Sequence, residues 1–71
     1  MAQPSQYMKS LRLLELVDSG VDNNYAFMHM LGLEARTIDR LVEDLIEWGV
    51  IYEDNDGCKI LTPKGKNILI Q

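Results

Sequence analysis

Apolar residues near the start of the chain recur at spacings of three and four, the pattern of an amphipathic helix. The members of this stripe are Tyr7, Met8, Leu11, Leu14 and Val17, widened by Leu13 and Leu16. Ser5 is expected to cap the helix, because its side chain can accept a hydrogen bond from a free backbone N–H. Gly20 suits a left-handed closing residue. The pattern therefore predicts a first helix that is central to a small core.

A second, shorter helix is predicted through Leu31, with Asp22 or Asn23 as its N-cap. Phe27 and Leu31 are four residues apart and form its inward pair. Its possible flanking contacts are Tyr25, Met28 and Met30. Gly32 then interrupts the chain and separates this helix from the next.

The third helix has the clearest pattern of the three. It is predicted to begin around Glu34, after the apolar anchor Leu33, and to end at Gly49. Its inward positions are Ile38, Leu41, Val42, Leu45 and Trp48. This single apolar stripe leaves the other side of the helix to charged residues.

The spacing changes after Gly49, and the next segment predicts a β-hairpin. Residues 50–52, Val-Ile-Tyr, are β-branched and aromatic, as is typical of a strand. Residues 54–57 contain the turn signal Asp-Gly, and residues 59–61, Lys-Ile-Leu, form the returning strand. The loop between the two strands is therefore short.

A last short helix is predicted over residues 64–69, with Thr62 as its cap, Pro63 at its first turn, and Gly65 weakening it. The order is then helix, short helix, turn, helix, hairpin, helix, which is the order of a winged helix. We predict a mainly helical α+β fold, a winged helix-turn-helix with a three-helix core, a short hairpin wing and a short C-terminal helix. A single domain spans residues 1–71.

Two stretches of the chain resemble bacterial and archaeal winged-helix proteins. Residues 26–51 read as a short helix, then LGL, then a helix ending in GVI, which resembles the generic winged-helix pattern. Residues 61–65, LTPKG, are similar to the segment that closes the wing in MarR-like and PadR-like regulators. Together the two resemblances cover most of residues 22–66.

Proteins of these families are mostly DNA-binding transcriptional regulators and are usually homodimers. The resemblance implies that the third helix, about residues 34–48, is a recognition helix. The residues it would turn toward the major groove are Ala35, Arg36, Asp39 and Arg40, with Glu43 at the far edge. The resemblance also implies double-stranded DNA as the partner, and arginine suits this role because it can contact a guanine edge at two points.

The charge balance complicates this expectation. Seven Lys and Arg residues against eleven Asp and Glu residues give a net charge of −4, whereas phosphate binding needs local positive charge. Residues 34–56 hold eight of the acids and only two of the bases. The remaining bases lie toward the two ends of the chain. Four of these bases are expected to assist along the DNA backbone: Lys9, Arg12, Lys59 and Lys64.

The same charges also fit alternatives to DNA binding. Arg36 with Asp39, and Arg40 with Asp44, have the spacing of surface ion pairs that contribute about 0.2–0.5 kcal/mol each. The acidic third helix and wing would also suit a protein-interaction module, an antirepressor or adaptor that binds a basic protein partner. The wing acids are Glu53, Asp54 and Asp56. For Asp56 we favour ordinary turn chemistry.

The composition argues against metal binding and membrane insertion, whereas the case against catalysis is that nothing local suggests a nucleophile and so small a fold has little room for a pocket. His29 and Cys58 are the only residues of their kinds, whereas a zinc site needs three or four ligands. We therefore expect no enzyme activity, metal or cofactor. No apolar run approaches the roughly 20 residues that span a bilayer, and the start of the chain does not resemble a signal peptide. With one cysteine, which fits a reducing compartment, these features place the protein in the cytoplasm.

Apolar residues that so short a chain cannot easily bury suggest a homodimer. The C-terminal Ile68, Leu69 and Ile70 are expected to be covered by helix 1 or by a second subunit. Met8, Met28, Met30 and Trp48 are further interface candidates, although core filling is the commoner role of such side chains. A homodimer through the C-terminal residues or helix 1 is therefore expected.

Overall fold

A computed structural model describes residues 6–70 and has four α-helices and a two-stranded antiparallel sheet in that range. The elements are α1 (Gln6–Asp18), α2 (Asn24–Leu31), α3 (Ala35–Trp48), β1 (Ile51–Glu53), β2 (Lys59–Leu61) and α4 (Pro63–Leu69). Their order is the predicted one, and a mainly helical α+β fold is confirmed. The predicted cap Ser5 lies outside the described residues.

Helix α1 lies at the centre of the core, but only from its second turn onward. Leu13, Leu14 and Val17 are buried, as the stripe predicts. Tyr7 and Met8 are 56% and 50% exposed, so the prediction that they face inward is wrong. Burial on α1 begins at Ser10 because the elements that pack against this helix do not cover its first turn.

Residues at both ends of helix α2 fix where the helix begins and ends. The Asn23 side chain accepts a hydrogen bond of 2.8 Å from the Ala26 backbone N–H, which identifies Asn23 as the cap. Gly32 closes the helix with φ of 67°, a left-handed conformation that glycine adopts without strain. Phe27 is fully buried, whereas its flanks Tyr25 and Met30 are exposed.

Helix α3 buries four of its five predicted core residues: Ile38, Leu41, Val42 and Leu45. The fifth, Trp48, is 39% exposed, so that prediction is wrong. Trp48 is the last residue of the helix, and Gly49 turns the chain immediately afterward. Val50 and Ile51 then enter the core at 0% and 1% exposure and occupy the interior beyond the helix end.

The second strand of the hairpin is the predicted one, and the first is shifted by one residue, to Ile51–Glu53. The register is Ile51↔Leu61, Tyr52↔Ile60 and Glu53↔Lys59. Its turn is organised by Asp54, whose carboxylate accepts hydrogen bonds of 2.9 Å from the backbone N–H groups of Asp56 and Cys58. Turn formation therefore accounts for Asp54. The Lys59 backbone N–H donates to the Asp22 carbonyl at 2.9 Å, which ties the hairpin to the α1–α2 loop.

Helix α4 begins at the predicted cap, Thr62, and packs against α1 and β2. Ile68 and Leu69 are partly buried against the core, whereas Ile70 is 76% exposed. The apolar excess predicted at the C-terminus is therefore mostly covered within one chain. Within residues 6–70, no helix has the length and apolar character needed to cross a bilayer.

Candidate functional site

Arg36 and Arg40 lie one turn apart on the solvent side of α3. The helix turns them outward because its apolar stripe is buried on the opposite side. Both residues are exposed, and within residues 6–70 neither guanidinium lies within 4.0 Å of a carboxylate as an ion pair. The alternative in which Asp39 and Asp44 neutralise the two arginines is therefore wrong for this structure. Their positive charges remain available at the surface.

Asp39 has a different partner, on the neighbouring helix. Its carboxylate accepts a hydrogen bond of 3.1 Å from the Asn24 side-chain amide, which joins the start of α2 to α3. The Asn24 amide oxygen is buried without a hydrogen-bond partner among the described residues. Asp39 is exposed, but this contact holds its carboxylate toward α2. Ala35, the first residue of α3, is also exposed.

Lys9 of α1 joins the two arginines in one shallow groove, which we call the basic groove. Its lining is Lys9, Arg36, Thr37, Arg40 and Asp44, and its volume is about 570 Å³. Three cations therefore face one carboxylate. Thr37 was not among the predicted site residues, because a half-buried threonine beside an apolar stripe carries no distinctive sequence signal.

A second groove adjoins the first and shares Lys9 with it; we call it the apolar groove. Its volume is about 480 Å³, and it is lined by Met8, Lys9, Arg12, Leu31 and Leu33. Because Lys9 belongs to both grooves, Arg12 lies on the same side of the molecule as Arg36 and Arg40. The structure therefore brings together four of the predicted cations, Lys9, Arg12, Arg36 and Arg40, which we call the basic surface.

Lys59 does not join this surface. It is 8% exposed, and its ammonium donates to the Gly57 carbonyl at 2.9 Å and pairs with Glu53 at 3.4 Å. An ammonium held in this way within the hairpin is not placed to meet a phosphate. The structure therefore argues against the predicted backbone contact by Lys59.

Lys64 is exposed but lies at the other end of α3. Its ammonium donates to the Trp48 carbonyl at 2.9 Å, so it caps the helix C-terminus, where a positive charge is favoured by the helix dipole. Trp48 and Arg36 are separated by twelve residues, which is about 18 Å along an α-helix. Lys64 is therefore separate from the basic surface.

The charges along α3 run against its dipole. Its first turn contains no acid and its last turn no base. Arg36 and Arg40 lie in the first half, whereas Glu43, Asp44 and Glu47 lie in the second. Of these residues only Arg36 and Glu47 lie in an end turn, where a charge of unfavourable sign costs about 0.3–1 kcal/mol, whereas the N-cap Glu34 has the favourable sign.

His29 and Cys58 line neither of the two grooves. The His29 ring packs edge-on against Tyr25 with a centroid distance of 4.7 Å, and His29 is exposed. Burial, followed by a hydrogen bond to the Asp22 carboxylate, raises the pKa of the Cys58 thiol. A raised pKa disfavours the thiolate, so the local environment does not activate Cys58 as a nucleophile.

No protein-family model matches this chain, and no curated protein is significantly similar to it. Among solved structures, the chain is similar to part of NcsB1, an O-methyltransferase from neocarzinostatin biosynthesis whose crystal structure contains S-adenosyl-L-homocysteine and 1,4-dihydroxy-2-naphthoic acid. The TM-score is 0.72 at 24% identity, over 89% of this chain but only 19% of the methyltransferase chain. At this identity and coverage the likeness shows a shared fold and transfers no activity.

Proposed function

We propose that this chain is a winged-helix transcriptional regulator that binds double-stranded DNA through α3. The order of its elements, with α2 and α3 joined at Gly32 and followed by a hairpin and a short helix, supports the winged-helix assignment. In this proposal α3 is the recognition helix and the β1–β2 hairpin is the wing. Fold by itself does not establish function, so the case rests on the surface of α3.

The observation that carries the proposal is the availability of Arg36 and Arg40. Both guanidiniums are exposed and free of ion pairs within the described residues, and Lys9 lies in the same groove. Arginine binds the O6 and N7 atoms of guanine at two points, and each such pair gives about 1–3 kcal/mol of discrimination against the wrong base. In the proposed complex, these side chains enter the major groove and the start of α3 approaches the bases.

Helix α1, and not the wing, supplies the backbone contacts in this proposal. Lys9 and Arg12 adjoin the arginines of α3 across the two grooves. In the wing, Lys59 is already paired with Glu53, and the exposed Asp56 would be repelled by phosphate. In the proposed complex, α3 contacts the bases and α1 contacts the DNA backbone. The wing does not contact the DNA.

The wider assignment follows from this proposal. We infer that the protein is cytoplasmic and not an enzyme. We also infer that it works as a homodimer, because two recognition helices would double the number of phosphate contacts. The exposed Ile70, with the exposed first turn of α1, is the surface left for such a dimer.

Duplex binding by single-charge variants tests the proposal. Arg36→Gln and Arg40→Gln are each titrated against a fluorescent random duplex at about 50 mM and about 200 mM salt, a range in which phosphate-driven binding weakens strongly. Each variant is expected to bind about fivefold or more weakly, because it removes one positive charge from the surface that meets the phosphates of the random duplex. Lys66→Gln, which removes one charge from the exposed side of α4, is the matched control and should bind almost like the parent. Equal affinities of all three variants would contradict the role of α3.

A second candidate, a module that binds a basic protein, is favoured by the acidic half of α3. Glu43 and Glu47 are exposed, one turn apart, and without an ion pair among residues 6–70. This candidate predicts no duplex binding even at about 50 mM salt. It also predicts binding of a lysine-rich peptide that Glu43→Gln and Glu47→Gln weaken. The two candidates therefore differ in which half of α3 is sensitive to substitution.

A further inference from the structure

The apolar groove offers a surface with two kinds of chemistry. Met8, Leu31 and Leu33 provide apolar contacts, and Lys9 and Arg12 add positive charge on α1. These two cations are three residues apart, so they lie one above the other on the same side of the helix. Leu31 and Leu33 are partly buried against the core, so the groove combines a small apolar area with two positive charges at its border.

The second half of α3 has the complementary chemistry. Glu43 and Glu47 present two carboxylates at a spacing of four residues, and Ile46 lies between them in sequence with 38% exposure. Trp48 is also exposed at this end. We call Glu43, Ile46, Glu47 and Trp48 the acidic end. It combines apolar side chains with two negative charges that have no ion-pair partner within residues 6–70.

We propose that the acidic end of one copy of this protein docks in the apolar groove of a second copy. Two carboxylates one helical turn apart meet two cations that are also one turn apart, so each carboxylate has a cation within reach. Ile46 adds apolar area against Leu31 and Leu33. Because the two surfaces differ, the contact is head-to-tail and leaves a groove free at one end of the pair and an acidic end free at the other. Further copies can therefore add at either end.

We expect the association to be weak because the contact area is small. The described molecule exposes 4849 Å² in total, and each of the two surfaces comprises only four or five side chains. Contacts well below about 1,200 Å² of total buried area belong to the weak, transient class. The charged pairs are also partly exposed, so added salt weakens the contact. We expect the weight-average mass to rise above 8.1 kDa with concentration, and to rise less at high salt.

Charge reversal on each surface tests the proposal without DNA. Glu43→Lys with Glu47→Lys makes the acidic end basic, and Lys9→Glu with Arg12→Glu makes the groove acidic. Sedimentation equilibrium is run on each double variant alone and on an equimolar mixture, from about 10 µM to about 1 mM total protein, a range that covers weak affinities. Circular dichroism establishes that each variant is folded. Glu43→Gln with Glu47→Gln is a milder replacement where the reversed variant does not fold.

The expected result is that neither reversed variant alone grows beyond the homodimer inferred above, because like charges meet in the head-to-tail contact. The mixture regains growth beyond a dimer, because the unchanged groove of one variant meets the unchanged acidic end of the other. Wild-type protein that does not exceed the mass of a dimer across the whole range would overturn the proposal. So would growth beyond a dimer that is equally strong in both reversed variants alone, which would instead indicate a contact elsewhere. Lys9 and Arg12 also belong to the proposed duplex interface, but sedimentation is run without DNA, so failure of this contact and failure of duplex binding are distinguishable.

Discussion

At the scale of single residues, Gly65 shows how a missing side chain positions an element. A Cβ atom at this position would meet the backbone carbonyl of Val50 and come within 2.9 Å of the Leu61 side chain. Gly65 is buried, and α4 can approach the chain after α3 only because the residue has no side chain. The helix-weakening glycine in the sequence therefore permits a tertiary contact.

We predict that Gly65→Ala destabilises the protein although alanine favours helices. The gain in helix propensity is about 1 kcal/mol, whereas forcing a methyl group into a filled space costs about 1–3 kcal/mol. The clash involves backbone, which cannot move aside easily, so we expect a net loss of about 1–2 kcal/mol in urea unfolding. Asn67→Ala, at an exposed position of the same helix, is the control and should gain a few tenths of a kcal/mol. A Gly65→Ala protein as stable as the parent would disprove the close approach.

Cys58 allows a pH prediction at the same scale. Burial and the Asp22 carboxylate raise the pKa of its thiol, so at any pH in the titration range less thiolate is present than in free cysteine. Alkylation of Cys58 should therefore be slower than that of free cysteine near pH 8, and the midpoint of its rate–pH profile should lie higher. Asp22→Asn should lower that midpoint, because it removes the negative charge. A midpoint at or below that of free cysteine would show that burial and Asp22 do not raise the pKa of this thiol.

At the scale of elements, the ends of helices are set by short-range contacts that the sequence already indicates. Thr62 is the clearest case. Its hydroxyl accepts from the Gly65 backbone N–H at 3.2 Å and donates to the Gly49 carbonyl at 2.7 Å. The same side chain therefore starts α4 and binds the residue that ends α3.

Removing this hydroxyl should loosen both helix ends. Loss of an N-cap side chain costs about 0.5–2 kcal/mol, and we expect Thr62→Ala to lie at the upper end because a second hydrogen bond is lost. Thr62→Ser retains the hydroxyl and should recover most of the stability. Thermal unfolding of the three proteins measures the effect. A serine variant that is as unstable as the alanine variant would show that the methyl group, and not the hydroxyl, matters.

At the scale of the whole molecule, the distribution of charge over the surface matters more for binding than the net charge. The net charge of −4 opposes contact with DNA, but folding places Lys9, Arg12, Arg36 and Arg40 on one side. Field strength at a surface depends on the nearby charges, because those farther than about 8 Å are screened at physiological salt. The β1–β2 hairpin and the acidic end of α3 contribute no residue to either groove.

Salt dependence should report how many of these cations take part in duplex binding. For one protomer in which all four meet phosphates, the slope of log affinity against log salt is about −3.6, since each contact contributes about −0.9. Arg12→Gln should make the slope shallower by about 0.9. Lys66→Gln should leave it unchanged. An unaltered slope for Arg12→Gln would show that Arg12 does not contact a phosphate and would contradict the proposed role of α1.

Local sequence was enough to predict the elements and most of their boundaries: the Thr62 cap, the Gly32 and Gly49 ends, the hairpin turn at Asp56-Gly57, and Asn23 as one of two candidate caps. These features depend on hydrogen bonds and backbone angles within a few residues, so a short pattern in the chain is sufficient to predict them.

The packing of whole elements, in contrast, fixed which side chains are covered and which charges meet. It exposed Tyr7, Met8 and Trp48, held Lys59 inside the hairpin, and placed Lys9 beside Arg36 and Arg40. A helical stripe predicts which side of a helix is apolar, but not how far along the helix the neighbouring elements reach. Contacts between residues distant in sequence depend on how these elements come together in three dimensions, which no local spacing records.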